Sequence, residues 1–480
     1  MENYILPNRT AQNRLIAIVC VGTFIANLDS TIVNITLPTL SNEFHVSPSV
    51  VSWTVLAYLL CETAFMLPFG KLADIKGIKS VYTAGFLVFL IGSILCGFST
   101  SMGELIACRA LQGVGGAMLF TVMMAFIPIH LPPERRIQAM GLTTTAAAAG
   151  VALGPPLGGW IASLIGWRWI FFVNVPICVA AIVAAYRHIP AASPRTTDKR
   201  FDFAGAFYSF VALIFFLYGI SMGREHGWGS PVIVSCLLLA ALGTAAFVRR
   251  QGRIAYPLMN LALFKDRALL FAILSFSASL MTVGGILFLF PFYLEEYRNL
   301  DTHVAGMIMI LLSVGQFIGP YMGKASQKYG AVKVCLAGLA LSLVSFLFFL
   351  RLAPLTEVIL IVLFLGLFGL SQGISKAPNV SLIMGAAPPD SRGAVSSLMS
   401  LSRSLSIALG VLFFETIFSD SIPHAISIDN THIAAGISHV RELAPGFFNA
   451  FLFGVIISLA AVVSMLAISW NKPEKAAVKN

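Results

Sequence analysis

Six charged side chains fall inside stretches otherwise apolar enough to cross a bilayer: Asp29, Glu62, Glu415, Arg109, Lys376 and Arg403. An ionised group at the centre of a membrane helix costs about 2.5 kcal/mol or more, so it normally faces a partner, a water-filled cavity or a passage for ions and substrate. A carboxylate in such a place can take up and release protons, and an arginine beside it can hold it ionised until a proton displaces the pairing. Other chemistries lack their residues. Seven cysteines (Cys20, Cys61, Cys96, Cys108, Cys178, Cys236 and Cys335) sit in apolar segments without paired spacing, so they read as packing residues, not as disulfides or a zinc site. The eight histidines lie in loops or at span ends, which argues against an intramembrane metal centre and a histidine relay. No Gly-x4-Gly-Lys-Ser/Thr run marks an ATP site, and no nucleophile or His/Asp pair marks a lipid-modifying enzyme. The chain is read as a non-enzyme without metal or cofactor.

Asp29 lies fifteen residues beyond Arg14, about 22 Å along a helix, in the outer half of the first span. Arg109 sits five residues inside the outer end of its span, at a similar depth. The two are expected to pair, either as a proton-coupling centre or as a permanent structural ion pair. Glu62 follows Tyr58 by four residues and shares its helix face. It has two readings: a proton carrier or contact for cationic substrate, or a neutral acid hydrogen-bonded to a neighbouring helix. Glu415, three residues from the outer end of its helix, is expected to reach water. Lys376 either pairs with a carboxylate or favours an anionic substrate. Arg403, among Ser400, Ser402, Ser404 and Ser406, is expected to anchor helix packing.

The elements that hold these residues follow from composition. Of 480 residues, 58% are apolar and only 11% charged, against about 25% charged in ordinary soluble chains. That excludes a set of soluble domains. A bilayer core needs about 20 apolar residues per helix. Spans are predicted near 14–38, 50–70, 80–99, 104–130, 137–163, 168–187, 203–222 and 231–248, then near 268–294, 304–323, 333–352, 356–384, 393–418 and 446–470. The pattern is all-α and polytopic, with fourteen transmembrane helices. No dyad alternation suggests a barrel. Twenty-three of the 31 lysines and arginines fall on the side of the N-terminus, five on the other side and three within spans. The net charge of +10 is therefore a topology signal, not a mark of nucleic-acid binding. It predicts both termini in the cytoplasm of a multi-pass protein of the plasma (inner) membrane.

A shift of 253 positions superposes Pro38 on Pro291, Gly70 on Gly323, Lys71 on Lys324 and Gly77 on Gly330. A shift of 256 superposes Arg136 on Arg392 and Ala152-Leu153-Gly154 on Ala408-Leu409-Gly410. Spans one to six thus repeat as spans nine to fourteen, the plan of transporters whose halves rock about a midplane site. The expected division is a six-helix bundle over 1–190, an inserted two-helix segment with its linker over 191–250, and a second six-helix bundle with a tail over 251–480.

Several short runs carry mechanics. Gly70-Lys71-Leu72-Ala73-Asp74-Ile75-Lys76-Gly77-Ile78-Lys79 follows span two, and its carboxylate can accept from a helix N-terminus or basic side chains. It reads as a charge latch on the cytoplasmic side, weaker in the second half, where Gln327 stands in place of the aspartate. Arg109-Ala110-Leu111-Gln112-Gly113-Val114-Gly115-Gly116 lies in span four. Span five places Gly150, Gly154 and Gly158 on one face and breaks its ladder at Pro155, so these are expected to shape the bundle interface. Together these runs resemble the major facilitator superfamily. Leu28-Asp29-Ser30-Thr31-Ile32-Val33-Asn34-Ile35-Thr36-Leu37-Pro38 and Trp167-Arg168-Trp169-Ile170-Phe171-Phe172-Val173-Asn174-Val175-Pro176 resemble its fourteen-helix drug/proton antiporter branch, the EmrB/QacA type.

The resemblance implies a proton-coupled exporter of small amphipathic or hydrophobic compounds, a multidrug efflux antiporter working by alternating access. Export of one endogenous metabolite, such as a siderophore or lipid-like compound, is the alternative. Asp29, Arg109 and Glu62 are the expected proton-coupling residues. Asp29, Asn34, Tyr58, Glu62, Gln112, Gln316 and Lys376 are expected to line the substrate cavity. Gly70, Asp74, Gly77, Lys79, Gly150, Gly154, Pro155 and Gly158 are expected to gate it. Partners would be the substrate, protons and lipid, without nucleic acid. The chain is expected to be monomeric, with a periplasmic adaptor if the cell has two membranes.

Overall fold

The computed structural model describes residues 5–6, 8–190, 202–254, 258, 261–387, 392–422 and 436–470. Arg195, Lys199 and Arg200 of the linker, 423–435 of the outer segment and the tail lysines lie outside them. Among the described residues there is no strand.

The first half runs α1 (Arg9–Ile32), α2 (Leu37–Phe44), α3 (Pro48–Lys76), α4 (Ile78–Phe98), α5 (Met102–His130), α6 (Pro133–Ile165), α7 (Trp169–Phe172) and α8 (Asn174–His188). Local chemistry sets these boundaries. The Asn8 side chain accepts from the Ala11 amide at 2.7 Å to start α1. Ser47 caps α3 and is followed by Pro48, whose missing N–H costs nothing at a helix start. The turn after α3 needs a left-handed residue, and Gly77 supplies it with φ 88°. Its repeat partner Gly330 does the same with φ 91°.

The pair expected as an insertion comprises α9 (Phe203–Ser221), the short α10 (Gly223–His226) and α11 (Pro231–Gln251). The second half runs α12 (Arg267–Phe292), α13 (Thr302–Met309), α14 (Leu311–Val314), α15 (Gly319–Tyr329), α16 (Ala331–Phe349), α17 (Val358–Ala386), α18 (Arg392–Asp420) and α19 (Gly436–Trp470). Thirteen helices of the described residues are long and apolar enough to cross a membrane. The expected span 304–323 departs from this. It is a broken element, with a 3-10 turn at Gly315–Ile318 between α14 and α15. Pro320 has no N–H to return to the Gln316 carbonyl, and Gly315 packs directly on the backbone of Gly369 and Leu370.

Packing follows the repeat. In the first half α1 lies on α6, and α5 lies on α3 and α4. In the second half α12 lies on α18, and α17 on α16 and on α14 and α15. The halves meet reciprocally, α3 against α18 and α6 against α13. The inserted α9 packs on α11 and touches α3 in one bundle and α18 in the other.

Asp202 fastens the inserted pair. Its carboxylate accepts from the Gly205 amide at 2.8 Å, from the Gln251 amide at 2.8 Å and from the Arg250 guanidinium. Burial works against the charged form, but these donors hold the carboxyl below the usual carboxylate range. Asp202→Ala is expected to lower stability by about 1 kcal/mol. Because the folded-state value is depressed, this contribution is present at neutral pH and lost as pH falls below about 4. Thermal unfolding of parent and variant at pH 7 and under acid reads both effects.

Candidate functional site

One buried network ties five helices of the first bundle together. The Arg109 guanidinium, 1% exposed, donates to Asp29 Oδ2 at 2.7 Å, and Asp29 is 0% exposed. The same nitrogen reaches Gln112 Oε1 at 2.6 Å, and Arg109 Nε donates to the Thr54 carbonyl at 2.9 Å. Asp29 Oδ1 accepts from Gln112 Nε2 and from Asn174 Nδ2, each at 2.8 Å. Gln112 also donates to Ser93 Oγ at 2.9 Å. The guanidinium lies 4.4 Å from the centre of the Tyr58 ring. A Cβ on Gly113 would strike the Tyr58 carbonyl, and one on Gly116 the Tyr58 hydroxyl, so these glycines let α3 come close enough to place that ring. A buried charge pair is kept when hydrogen bonds satisfy most of what remains of both groups; here Asp29 accepts from three side chains and Arg109 donates through Nε and one terminal nitrogen.

A cavity lies between the two bundles. Its wall on the first bundle carries Ser30, Thr31, Asn34, Leu59, Glu62 and Phe120. The second bundle contributes Val283, Gln316, Gln372, Lys376, Arg403 and Ser404. Glu62 is buried and accepts from Ser404 Oγ of the opposite bundle at 2.8 Å. Arg403 donates across to Asn27 Oδ1 at 3.1 Å and covers the Phe120 ring. Lys376 is exposed to the cavity and reaches Gln316 Oε1 at 3.3 Å. Asn34 Oδ1 and Gln372 Nε2 are buried, with no hydrogen-bond partner among the described residues.

Three expectations are corrected by this arrangement, and the packing role of Arg403 is extended. Asp29, Tyr58 and Gln112 are not on the cavity wall; they are wholly buried behind it, because Arg109 draws them into the bundle interior. Glu415 does not reach water. It is 0% exposed and accepts from Ser49 Oγ of α3 at 2.5 Å and Ser419 Oγ at 2.8 Å. Arg403 does more than pack helices, since it lines the cavity and bridges the bundles. The glycine face of α6 packs within its own bundle: a Cβ on Gly150, Gly154 or Gly158 would strike Phe24, Thr31 or Ile32 of α1.

The contact between bundles falls to Gly159, Gly306 and, from the expected set, Pro155. A Cβ on Gly159 would meet the Thr302 carbonyl, and one on Gly306 the Pro155 carbonyl. With the Ser49–Glu415 bond, this closes the molecule at the end away from its described termini. There Glu43 accepts from Trp167 Nε1 at 2.6 Å and from Arg168 at 2.9 Å. At the opposite end Lys79 donates to the Tyr186 carbonyl at 2.9 Å, and Gly70 packs on Thr121. Asp74 forms no ion pair among the described residues.

The chain matches the family model described as Major Facilitator Superfamily over residues 19–411. It belongs to that superfamily. This superfamily member is 32% identical over 413 residues to the riboflavin transporter RibZ of Clostridioides difficile (strain 630), covering 85% of this chain and 89% of that protein. It is 30% identical over 405 residues to the multidrug resistance protein Stp of Mycobacterium tuberculosis (strain ATCC 25618 / H37Rv), covering 84% of this chain and 75% of the other. Its fold is similar to the inward-facing, occupied crystal structure of a bacterial homologue of the lysosomal transporter Spinster, with TM-score 0.67 and 15% identity, over 97% of this chain and 98% of that one. A multi-pass membrane transporter for small molecules follows from the family, and the resistance relatives support efflux.

Two partners escaped the sequence reading of this transporter. Asn174 was inside the run Trp167–Pro176, yet nothing in its spacing ties it to Asp29. Ser93 carries no motif at all. Only the packing of α8 against α1 brings Asn174 to the carboxylate, and that of α4 against α5 and α8 brings Ser93 to Gln112 and Asn174.

Proposed function

We propose that this chain exports small amphipathic or hydrophobic compounds in exchange for protons, by alternating access, as a multidrug efflux pump. The observation that carries the reading is the Asp29–Arg109 pair, buried beside the cavity and hydrogen-bonded into α1, α3, α5 and α8. Asp29 directly precedes Ser30 and Thr31, which face the cavity. A proton on Asp29 removes the charge that holds Arg109, so the helix carrying two wall residues is released. Proton binding and substrate binding then act on one element from its two sides, the requirement for coupling.

The excess of basic residues on the side of the termini supports a cytoplasmic position for that side, with the closed end outside. The latch on Asp74 belongs to the outward-facing state, in keeping with the lack of an ion pair to Asp74 among the described residues. The protein works as a monomer in the plasma (inner) membrane, with an adaptor only where a second membrane must be crossed. The riboflavin-transporting relative favours a second reading, export of one endogenous metabolite.

Purified protein in liposomes, with and without an imposed pH gradient and across a substrate panel, tests the proposal. Accumulation that ignores the gradient overturns it; a single accepted metabolite favours the second reading. Glu62 meets substrate in this scheme. Glu62→Gln keeps the Ser404 bond and removes the charge. It is expected to slow export of compounds carrying an amino group about tenfold, the usual worth of one charged hydrogen bond, and to spare compounds without one. Equal loss for both classes would instead make Glu62 a proton carrier.

A further inference from the structure

The cavity is asymmetric in charge and in hydrogen-bonding sense. Its first-bundle wall presents acceptors: the Glu62 carboxylate and the unpaired Asn34 Oδ1. Its second-bundle wall presents donors. Ser279 Oγ donates to Gln372 Oε1 at 3.0 Å, which leaves Gln372 Nε2, on a side chain 3% exposed, as a buried donor without a partner among the described residues. Lys376 follows Gln372 by four residues on α17, so both groups occupy one helix face. Among the described residues the Lys376 ammonium has a neutral amide, Gln316 Oε1, as its hydrogen-bond partner and no carboxylate. Arg403 adds a second positive charge to the same wall and is likewise bonded to a neutral amide. With Glu62 ionised the wall residues sum to one net positive charge. Apart from Ser30, Thr31 and Ser404, the remaining lining, including Val55, Leu59, Leu280, Leu287 and Val411, is apolar.

Resting on the reading of this cavity as the substrate site, we propose that its ligands are amphipathic organic anions. The acid group, a carboxylate or a similar oxyanion, lies between Gln372 Nε2 and the Lys376 ammonium. Hydrogen-bond donors of the same molecule turn toward Asn34 Oδ1 and Glu62. An amide donor and an ammonium one helical turn apart present two N–H groups to one acid, and the apolar walls strengthen the charge-assisted bond by keeping water away. A lipophilic cation finds one counter-charge here, Glu62, and meets Lys376 and Arg403 opposite it.

Charge-selective thiol labelling tests this without any need for transport. Val283→Cys in a cysteine-free background places a small reporter on the cavity wall. Its rates with a methanethiosulfonate bearing a sulfonate and with one bearing a trimethylammonium are each divided by those of a free thiol. The sulfonate is expected to be favoured. Lys376→Gln should lower that preference about tenfold, as removal of one nearby charge in a partly dry site would; Lys376→Arg should keep it. Gln372→Glu, which supplies Lys376 with a carboxylate, should lower it as well. Quenching of pyrenebutanoate and pyrenebutanamine by the purified parent should rank the acid above the amine and lose that ranking in Lys376→Gln. A trimethylammonium preference in the parent, or a ratio unmoved by Lys376→Gln, overturns the anion site. Failure of pH-driven export with the sulfonate preference intact overturns the proposed function and leaves this assignment standing.

Discussion

Asp29→Asn is expected to reduce pH-driven efflux about a hundredfold, toward the upper end of typical intersite coupling energies, while the protein still reaches the membrane. The carboxylate now accepts from three side chains, Arg109 on one oxygen and Gln112 and Asn174 on the other. An amide keeps the shape but has a single acceptor oxygen, so one of these donors loses its partner. More costly, Arg109 remains 1% exposed with no counter-charge. Removing one member of a buried pair typically costs about 3–5 kcal/mol, so a lower melting temperature is expected alongside the loss of coupling.

The two effects separate in a double variant. Asp29→Asn combined with Arg109→Gln removes both charges and should recover most of the stability, since no ion is left unpaired. It should not recover response to the pH gradient, because no group in the network can then take a proton. A purely structural ion pair gives the opposite result, with transport returning as stability returns. Arg109→Lys should fail on both counts. The guanidinium serves Thr54, Gln112 and Asp29 through two nitrogens held in one plane, and an ammonium cannot reproduce that fork. Efflux by Asp29→Asn equal to the parent's, in liposomes with an imposed gradient, removes Asp29 from the mechanism.

The spans and the repeat were legible because each rests on a local rule. Twenty apolar residues identify a helix, and Gly77 and Gly330 identify matching turns through the left-handed conformation both adopt. The break at Gly315–Ile318 was not legible, since Gly315 owes its geometry to Gly369 on another helix. The Asp29–Arg109 pair could be anticipated from depth alone. Its separation from the cavity could not, because spacing along α1 gives the depth of Asp29 and not which neighbour its face meets. Glu415 failed for a related reason. Closeness to a helix end suggested water, but α3 lies over that end and supplies Ser49. The face carrying Gly150, Gly154 and Gly158 was visible as a stripe, yet a stripe does not say whether it faces its own bundle or the other.

That last ambiguity carries the second large effect, which concerns Gly306. A side chain there must displace the Pro155 carbonyl across the interface that shuts the distal end. Overpacking of this kind costs about 1–3 kcal/mol. Inside a bundle the strain has no outlet, and Gly154→Val, which strikes Thr31 of α1, should simply unfold the protein more easily. Between bundles the strain is relieved by the movement that alternating access already uses, so Gly306→Val should trade closure for opening with little loss of stability. At about 1.4 kcal/mol per factor of ten, the population open at the distal end should rise roughly 5- to 150-fold. Ser49 is 3% exposed at this interface, so a cysteine replacing it in a cysteine-free background reports the change. Its reaction with an impermeant thiol reagent should be slow in the parent and at least about tenfold faster with Gly306→Val. Equal, slow labelling in both, together with a lower melting temperature, would make this contact rigid packing and place the distal gate elsewhere.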